Sequence, residues 1–495
     1  MFRTVWLSRP LTRLFAAFSL PAAVLAFFPG AAFSQEAAGV LNRAAGAMGD
    51  PKSIRYTGEG TGFTYGQAFK PGMPWPKITV HSLIRTVNYE TASMREEITL
   101  SRAEPKGGGG YPPVAQQRND QFVSGDYAWN QGPTGPLPGQ RFVADRVHQL
   151  WITPHGAIKA ALKNKASLKW QTDGGKSIAA ASFTEPGKFA ATVFINEDYL
   201  VERVESRAPD PVLGETRVVT RYSGYRDFGG VKFPTRIEQS QEGSPILDLA
   251  VKEVQAGASA DIALPDAVRN ATERVAAEKV TDGVWHVAGG SHNSVAIEMG
   301  DHMVLVETPL NDGRAGPVFE AVKKLVPGKP IRFVVNTHNH FDHAGGVRTA
   351  AAEGYTIITQ AGNKAYYERA LATPNRINPD RLARSGKKPA FRTVEDKLVL
   401  DDGTRTIEIH RITGGDHNDT FLMVYLPREK LLVEADVFTP GPPNSPPPAQ
   451  ANPNHLTLVT NLERLKLSVE RILPLHGRVV PLADLYAAVK APMPK

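Results

Sequence analysis

The chain reads as an α+β/α-β two-domain protein, with an N-terminal antiparallel β-sheet domain opened by a helix and a C-terminal α/β domain whose strands are covered by helices. Three observations predict this. At 495 residues the chain exceeds what one ordinary hydrophobic core organises. From Gly49 to about residue 255 the signals are mostly strands, broken by turn residues. From Val280 onward, strand-turn-helix units repeat to the C-terminus, the pattern of a helix-covered sheet. The stretch 256–279, rich in Ala, Asp and Glu, reads as the linker between the halves, giving domains at 35–255 and 280–495.

Residues 1–34 read as an export signal. Arg3, Arg9 and Arg13 are the only charges before Glu36, an apolar run follows over 14–28, and Ala32 and Ser34 are the small residues a cut before Gln35 needs. The run is short for a membrane span and contains Pro21. Cleavage leaves no membrane span, and the mature protein is expected to be periplasmic or secreted. Its formal charge falls by three, from +7 to +4, and the basic residues are scattered, so no nucleic-acid partner is expected. With no cysteine, disulfides, thiolate ligands and a Cys nucleophile are excluded.

Taken in order, Val40, Leu41, Ala44, Ala45 and Met48 have helical spacing, and Gly49 stops the helix. Ile78-Thr79-Val80 and 95–100 are strand-like. A hairpin is expected from Thr192-Val193-Phe194-Ile195 and Tyr199-Leu200-Val201 around Asn196-Glu197-Asp198, and a second from 217–225 and 231–234 around Asp227-Phe228-Gly229-Gly230. A short helix fits 154–162. The stretches 106–113 and 131–140 are turn-rich and read as loops. The opening helix followed by a strand meander, with the segment 222–234, resembles the periplasmic lipoprotein-carrier fold, and that resemblance implies a concave sheet face able to hold an acyl chain.

In the second half, 284–287, 294–297 and 303–306 read as successive strands and 317–325 as a helix. Ile331-Arg332-Phe333-Val334-Val335 reads as a buried strand. It runs into Asn336-Thr337-His338-Asn339-His340-Phe341-Asp342-His343-Ala344-Gly345-Gly346. The chain has thirteen histidines, so three within six positions are not a chance cluster. His338 and His340 are two apart and share a face of an extended backbone. Asp342 and His343 follow at the turn, where they can address a second point nearby. Imidazole and carboxylate are the donors a borderline divalent ion takes, so a metal site for two ions is expected. Three more donors close strand-like runs downstream: His417, Asp436 and His476.

The cluster and these three residues, in this order, make residues 280–490 resemble the metallo-β-lactamase-fold hydrolases. That family's fold is a four-layer αβ/βα sandwich with the site at the sheet edges. The resemblance implies that His338, His340 and His417 hold one zinc ion, that Asp342, His343 and His476 hold the second, and that Asp436 bridges them. His81, His148, His155, His286, His292, His302, His410 and His455 match no ligand position. Of these, His292 sits in a loop that often reaches the pocket in this family. Two zinc ions about 3.5–4 Å apart bring the pKa of a shared water towards about 7, and the hydroxide attacks an electrophilic carbonyl or phosphorus. Asp342 is the implied catalytic residue, orienting the nucleophile and passing a proton to the leaving group.

Relatives that open β-lactams typically carry Cys or Ser where this chain has Asp436, and a bridging Asp accompanies cleavage of thioesters, lactones and phosphoesters. The expectation is an exported dizinc hydrolase that cleaves an ester, lactone or thioester of a small-molecule substrate, with a homodimer as one assembly open to it. Three other readings fit the same residues: an iron-dependent sulfur dioxygenase of the same fold, a β-lactamase, or an apolar-ligand binding protein with a vestigial metal site. Iron or manganese also suits the donors. Two features depart from the family. The third histidine lies in Asp416-His417-Asn418-Asp419, and a loop with seven prolines, 440–453, follows Asp436 and is expected to wall the pocket.

Overall fold

The structure is a computed structural model that describes residues 29–104, 106–107, 115–259, 262–446 and 448–492, with side chains from residue 35. Most of the proposed leader, 1–28, lies outside the described residues, as do 108–113 of the first turn-rich loop and Pro447 of the proline loop. No helix among the described residues is long and apolar enough to cross a membrane.

The N-terminal half is built on one antiparallel sheet in which thirteen strands are described. It runs as two meanders joined at its centre, where Ser53–Phe63 pairs with Ser244–Ala256. Helices Pro29–Met48, Val143–Trp151 and Pro154–Lys163 pack on it. Ala37, Val40, Leu41, Ala44 and Met48 form the buried stripe of the opening helix, and they share a core with Ile54, Leu83, Val193 and Leu249 of the sheet. Helical spacing thus marks the buried stripe, although the helix begins earlier, at Pro29, and runs through the expected cut before Gln35.

Two local expectations differ from what forms. The first hairpin pairs Val201 with Ile195 as its turn residues dictate. In the second, only Arg226–Asp227 and Lys232–Phe233 pair across the glycine turn. The strand Gly214–Ser223 pairs instead with Val201–Asp210 and Arg236–Gln241. Alternation specifies a face and not a partner, so the longer strand takes the neighbours that bury Val218 and Tyr222. The stretch 131–140 contains a short strand, Gly135–Pro138, paired with Tyr127–Gly132. Its two prolines are tolerated because it is the edge strand of the sheet.

The C-terminal half has two stacked sheets. A seven-stranded sheet begins at Ala276–Thr281, inside the stretch read as linker, and ends at Ala390–Val394. A six-stranded sheet runs from Lys397–Asp401 to Val480–Pro481. Strand Met303–Val306 shows why both faces are covered. Val304 and Val306 enter the core between the sheets, while Met303 and Leu305 enter the core beneath helix Asp312–Leu325. That helix starts five residues before the expected 317, because the Asn311 side chain caps it by accepting from Arg314 N. Helices Pro453–Leu465 and Leu482–Val489 cover the six-stranded sheet, completing an αβ/βα sandwich.

Candidate metal centre

All seven sequence-marked donors come together, although they span 139 positions from His338 to His476. Six of them follow a strand end: Ile331–Val335 leads to the histidine cluster, Leu431–Glu434 to Asp436, and Arg471–Pro474 to His476, while His417 lies in the loop between Thr406–Arg411 and Leu422–Leu426. A rigid sheet therefore aims the side chains. Gly345 and Gly346 end the cluster because the chain turns against the Leu310 and Thr308 carbonyls, where a Cβ would collide.

The donors form two groups. One is His338, His340, His417 and Asp436; the other is His292, Asp342, His343 and His476. Within each, one donor atom per residue lies within 4.8 Å of the others. Asp436 reaches both: its Oδ2 is 3.3 Å from His338 Nε2, 3.2 Å from His343 Nε2 and 3.0 Å from His417 Nε2, and its Oδ1 is 2.8 Å from His476 Nε2. Donors bound tetrahedrally to one ion at about 2.0–2.1 Å stand about 3.3 Å apart, so this spacing suits a shared cation.

Hydrogen-bond partners fix two of the ring protons. His343 Nδ1 faces the Glu307 carboxylate at 3.1 Å, and His476 Nδ1 faces the Ser291 carbonyl at 3.0 Å. Both partners accept only, so each Nδ1 carries a proton, and in the neutral ring each Nε2 carries a lone pair. Yet the two Nε2 atoms face each other at 3.1 Å. Two lone pairs at that distance repel, so a cation belongs between them: a proton on the His343 ring in the metal-free protein, or a metal ion that replaces it. His338 Nε2 and both ring nitrogens of His340 are buried with no hydrogen-bond partner, an arrangement folded proteins seldom leave uncompensated. The residues therefore fit a divalent metal.

The charges agree. Burial pushes His338 down to about 3 and His340 well below its ordinary range, keeping both neutral, the form that offers a lone pair. For His343 burial acts the same way, but Asp436 and Asp342 outweigh it and raise the ring well above its ordinary range. The pair of carboxylates draws positive charge to that point. Burial alone would raise Asp342 and Asp436, and the facing histidines instead hold both well below the usual carboxylate range.

Several contributors carry no clear mark in the sequence. His292, which matches no ligand position there, places Nε2 3.1 Å from Asp342 Oδ2. Glu307, fully buried and held at φ 74°, accepts from His343 Nδ1 and Thr337 Oγ1, and Thr337 Oγ1 stands 3.0 Å from His338 Nδ1. Its position just after strand Met303–Val306 is the same strand-end signal that marks the other donors. Asn418, from the atypical third-histidine stretch, donates to Asn339 Oδ1 at 2.8 Å and ties that loop to the cluster. In the proline loop, Pro440 stands against Gly477 beside His476, while 441–446 and 448–450 are exposed. The remaining seven histidines lie away from the donors; His148 meets Ser206, His155 the Met48 carbonyl and His286 the Pro474 carbonyl.

Comparison with known proteins follows the same division. Residues 287–476 match the family model of the metallo-beta-lactamase superfamily. The chain is 28% identical over 167 residues to the 2,4-dinitroanisole O-demethylase subunit alpha of Nocardioides sp. (33% of this chain, 47% of that one). It is 33% identical over 194 residues to the alkyl/aryl-sulfatase BDS1 of Saccharomyces cerevisiae (32% and 30%). The chain thus spans less than half the length of these curated relatives. A solved metallo-beta-lactamase from Pontibacter korlensis superposes with a TM-score of 0.34 at 17% identity, covering 44% of this chain and 98% of that one. This chain is thus similar to the metallo-beta-lactamase superfamily over residues 287–476.

Proposed function

We propose that this chain is an exported two-metal hydrolase acting on an ester, lactone or thioester of a small molecule. In this reading His338, His340 and His417 hold one ion, Asp342, His343 and His476 the other, and Asp436 joins them. The observation that carries it is the convergence of four imidazole Nε2 atoms on the Asp436 carboxylate, with the Nδ1 protons of His343 and His476 committed elsewhere so that their Nε2 atoms face each other. Zinc suits a donor set of imidazole and carboxylate without thiolate, and iron or manganese would also fit. A bound divalent pair supplies Lewis acidity and acidifies water towards a pKa of about 7.

The protein's own residues do the rest. Glu307 and Ser291 fix the ring protons of His343 and His476, so their lone pairs point inward. Asp342 presents Oδ2 to the donor group, orients the attacking water and takes its proton for delivery to the leaving group. Export is supported by the leader-like first 34 residues.

The test combines metal content with turnover on a panel of chromogenic lactones, esters, thioesters, phosphoesters and cephalosporins. Because the matched relatives are an O-demethylase subunit and a sulfatase, 2,4-dinitroanisole and an aryl sulfate join the panel. Two divalent ions per chain with metal-dependent hydrolysis is the expected result. One iron per chain with thiol-dependent oxygen uptake would replace hydrolysis with the dioxygenase reading.

A further inference from the structure

Asp342 is held from outside its own domain. The loop 64–76 joins strands Ser53–Phe63 and Lys77–Asn88 of the N-terminal sheet, and it lies against two of the loops that carry histidine donors, the one with His338, His340 and His343 and the one with His417. Phe341 N donates to Gly66 O at 3.1 Å, Asn339 Nδ2 to Ala68 O at 3.3 Å, and Asp419 N to Phe69 O at 2.8 Å. The rings of Tyr65, Trp75 and Phe341 meet edge to face. Gly66 has φ 78°, and a Cβ there would stand 2.6 Å from the Phe341 ring, so the close approach requires glycine.

This docking delivers Gln67. The residue is only 8% exposed, and its Nε2 is 2.8 Å from Asp342 Oδ1. A carboxylate only accepts, so the amide has one possible orientation: N–H towards Asp342. Its Oε1 is then left buried with no hydrogen-bond partner. A glutamine kept in that state is placed for its N–H and not for fold stability. Asp342 Oδ1 is occupied by Gln67, which leaves Oδ2 facing His292 at 3.1 Å and His343 at 3.8 Å.

We propose that Gln67 is a positioning residue for Asp342, so that the N-terminal sheet domain completes the metal centre of the C-terminal domain. The inference rests on the reading of Asp342 as a metal ligand. Its role is to stop the carboxylate from rotating away from the His292, His343 and His476 group.

Gln67→Met keeps the length and shape of the side chain, deletes the N–H and removes the unpaired oxygen. Zinc affinity of the full chain is read by competition with a chromophoric chelator, alongside thermal unfolding of the metal-free protein. One of two zinc equivalents should weaken by about 10–100-fold, with the unfolding temperature unchanged. In an Asp342→Asn background, Gln67→Met should add nothing further, because the two act as a unit. Wild-type affinity for both equivalents in Gln67→Met would overturn the proposal alone, as would a fall in unfolding temperature with unchanged affinity. A wild-type chain that takes up no divalent metal would overturn it together with the hydrolase reading.

Discussion

Replacing Glu307 should loosen the second group of donors without touching a donor itself. Its Oε2 accepts from His343 Nδ1 at 3.1 Å and from Thr337 Oγ1 at 2.5 Å, and Thr337 Oγ1 in turn meets His338 Nδ1. One carboxylate therefore orients one ring directly and a second through a hydroxyl. In Glu307→Ala the His343 Nδ1–H is left buried without a partner, and such a group costs about 1–3 kcal/mol. Since 1.4 kcal/mol is tenfold, metal affinity should fall about 10–100-fold, the range found for partners of ligating histidines. Glu307→Gln retains an acceptor for the ring and should stay within about tenfold of the wild type. The backbone sits at φ 74°, where Glu, Gln and Ala are similarly strained, so comparing them isolates the side chain. Competitive zinc titration at neutral pH measures the effect. If Glu307→Ala binds zinc as tightly as wild type while His343→Ala does not, the carboxylate plays no orienting part and the reasoning fails.

Three further outcomes follow from the geometry. Asp436→Asn keeps the shape but removes the charge shared by four rings, so metal binding should weaken more than about 100-fold; metal content after dialysis near wild-type levels would contradict this. His292→Ala should lower kcat/KM about 10–100-fold while His455→Ala leaves it near wild type, since only His292 touches Asp342; equal effects from the two would remove His292 from the centre. His148 and His155 are buried neutral, each pushed by burial from 6.5 to about 4. Their folded pKa values lie below the unfolded one, so stability is full above about pH 6.5 and is lost as pH falls towards 4. Each histidine accounts for about 2 kcal/mol of loss at pH 5. Urea unfolding of the metal-free protein between pH 7 and pH 5 should therefore show a loss smaller by about that amount in His148→Gln, and an unchanged loss would refute the assignment.

The sequence by itself determined the donors and the class of each half. His338, His340, Asp342 and His343 are legible because metal chemistry demands donors in a tight local pattern, and His417, Asp436 and His476 because each closes an apolar strand-like run. Helical spacing from Val40 to Met48 and alternation in the strands are likewise local properties, set by the periods of the backbone. Strand partners were not legible where two faces of similar pattern compete, which is why Gly214–Ser223 pairs away from the nearby glycine turn.

Only the tertiary structure decided which residues serve the donors. Gln67 is 275 positions from Asp342 and His292 is 50, and neither carries a local signature, because a hydrogen bond between distant segments depends on how sheets dock and not on spacing along the chain. The same holds for Glu307 and Thr337, whose side chains meet only because parallel strands Met303–Val306 and Ile331–Val335 lie side by side. Ligand identity is written in residue type; the orientation of each ligand is written in contacts that exist only once the chain has folded.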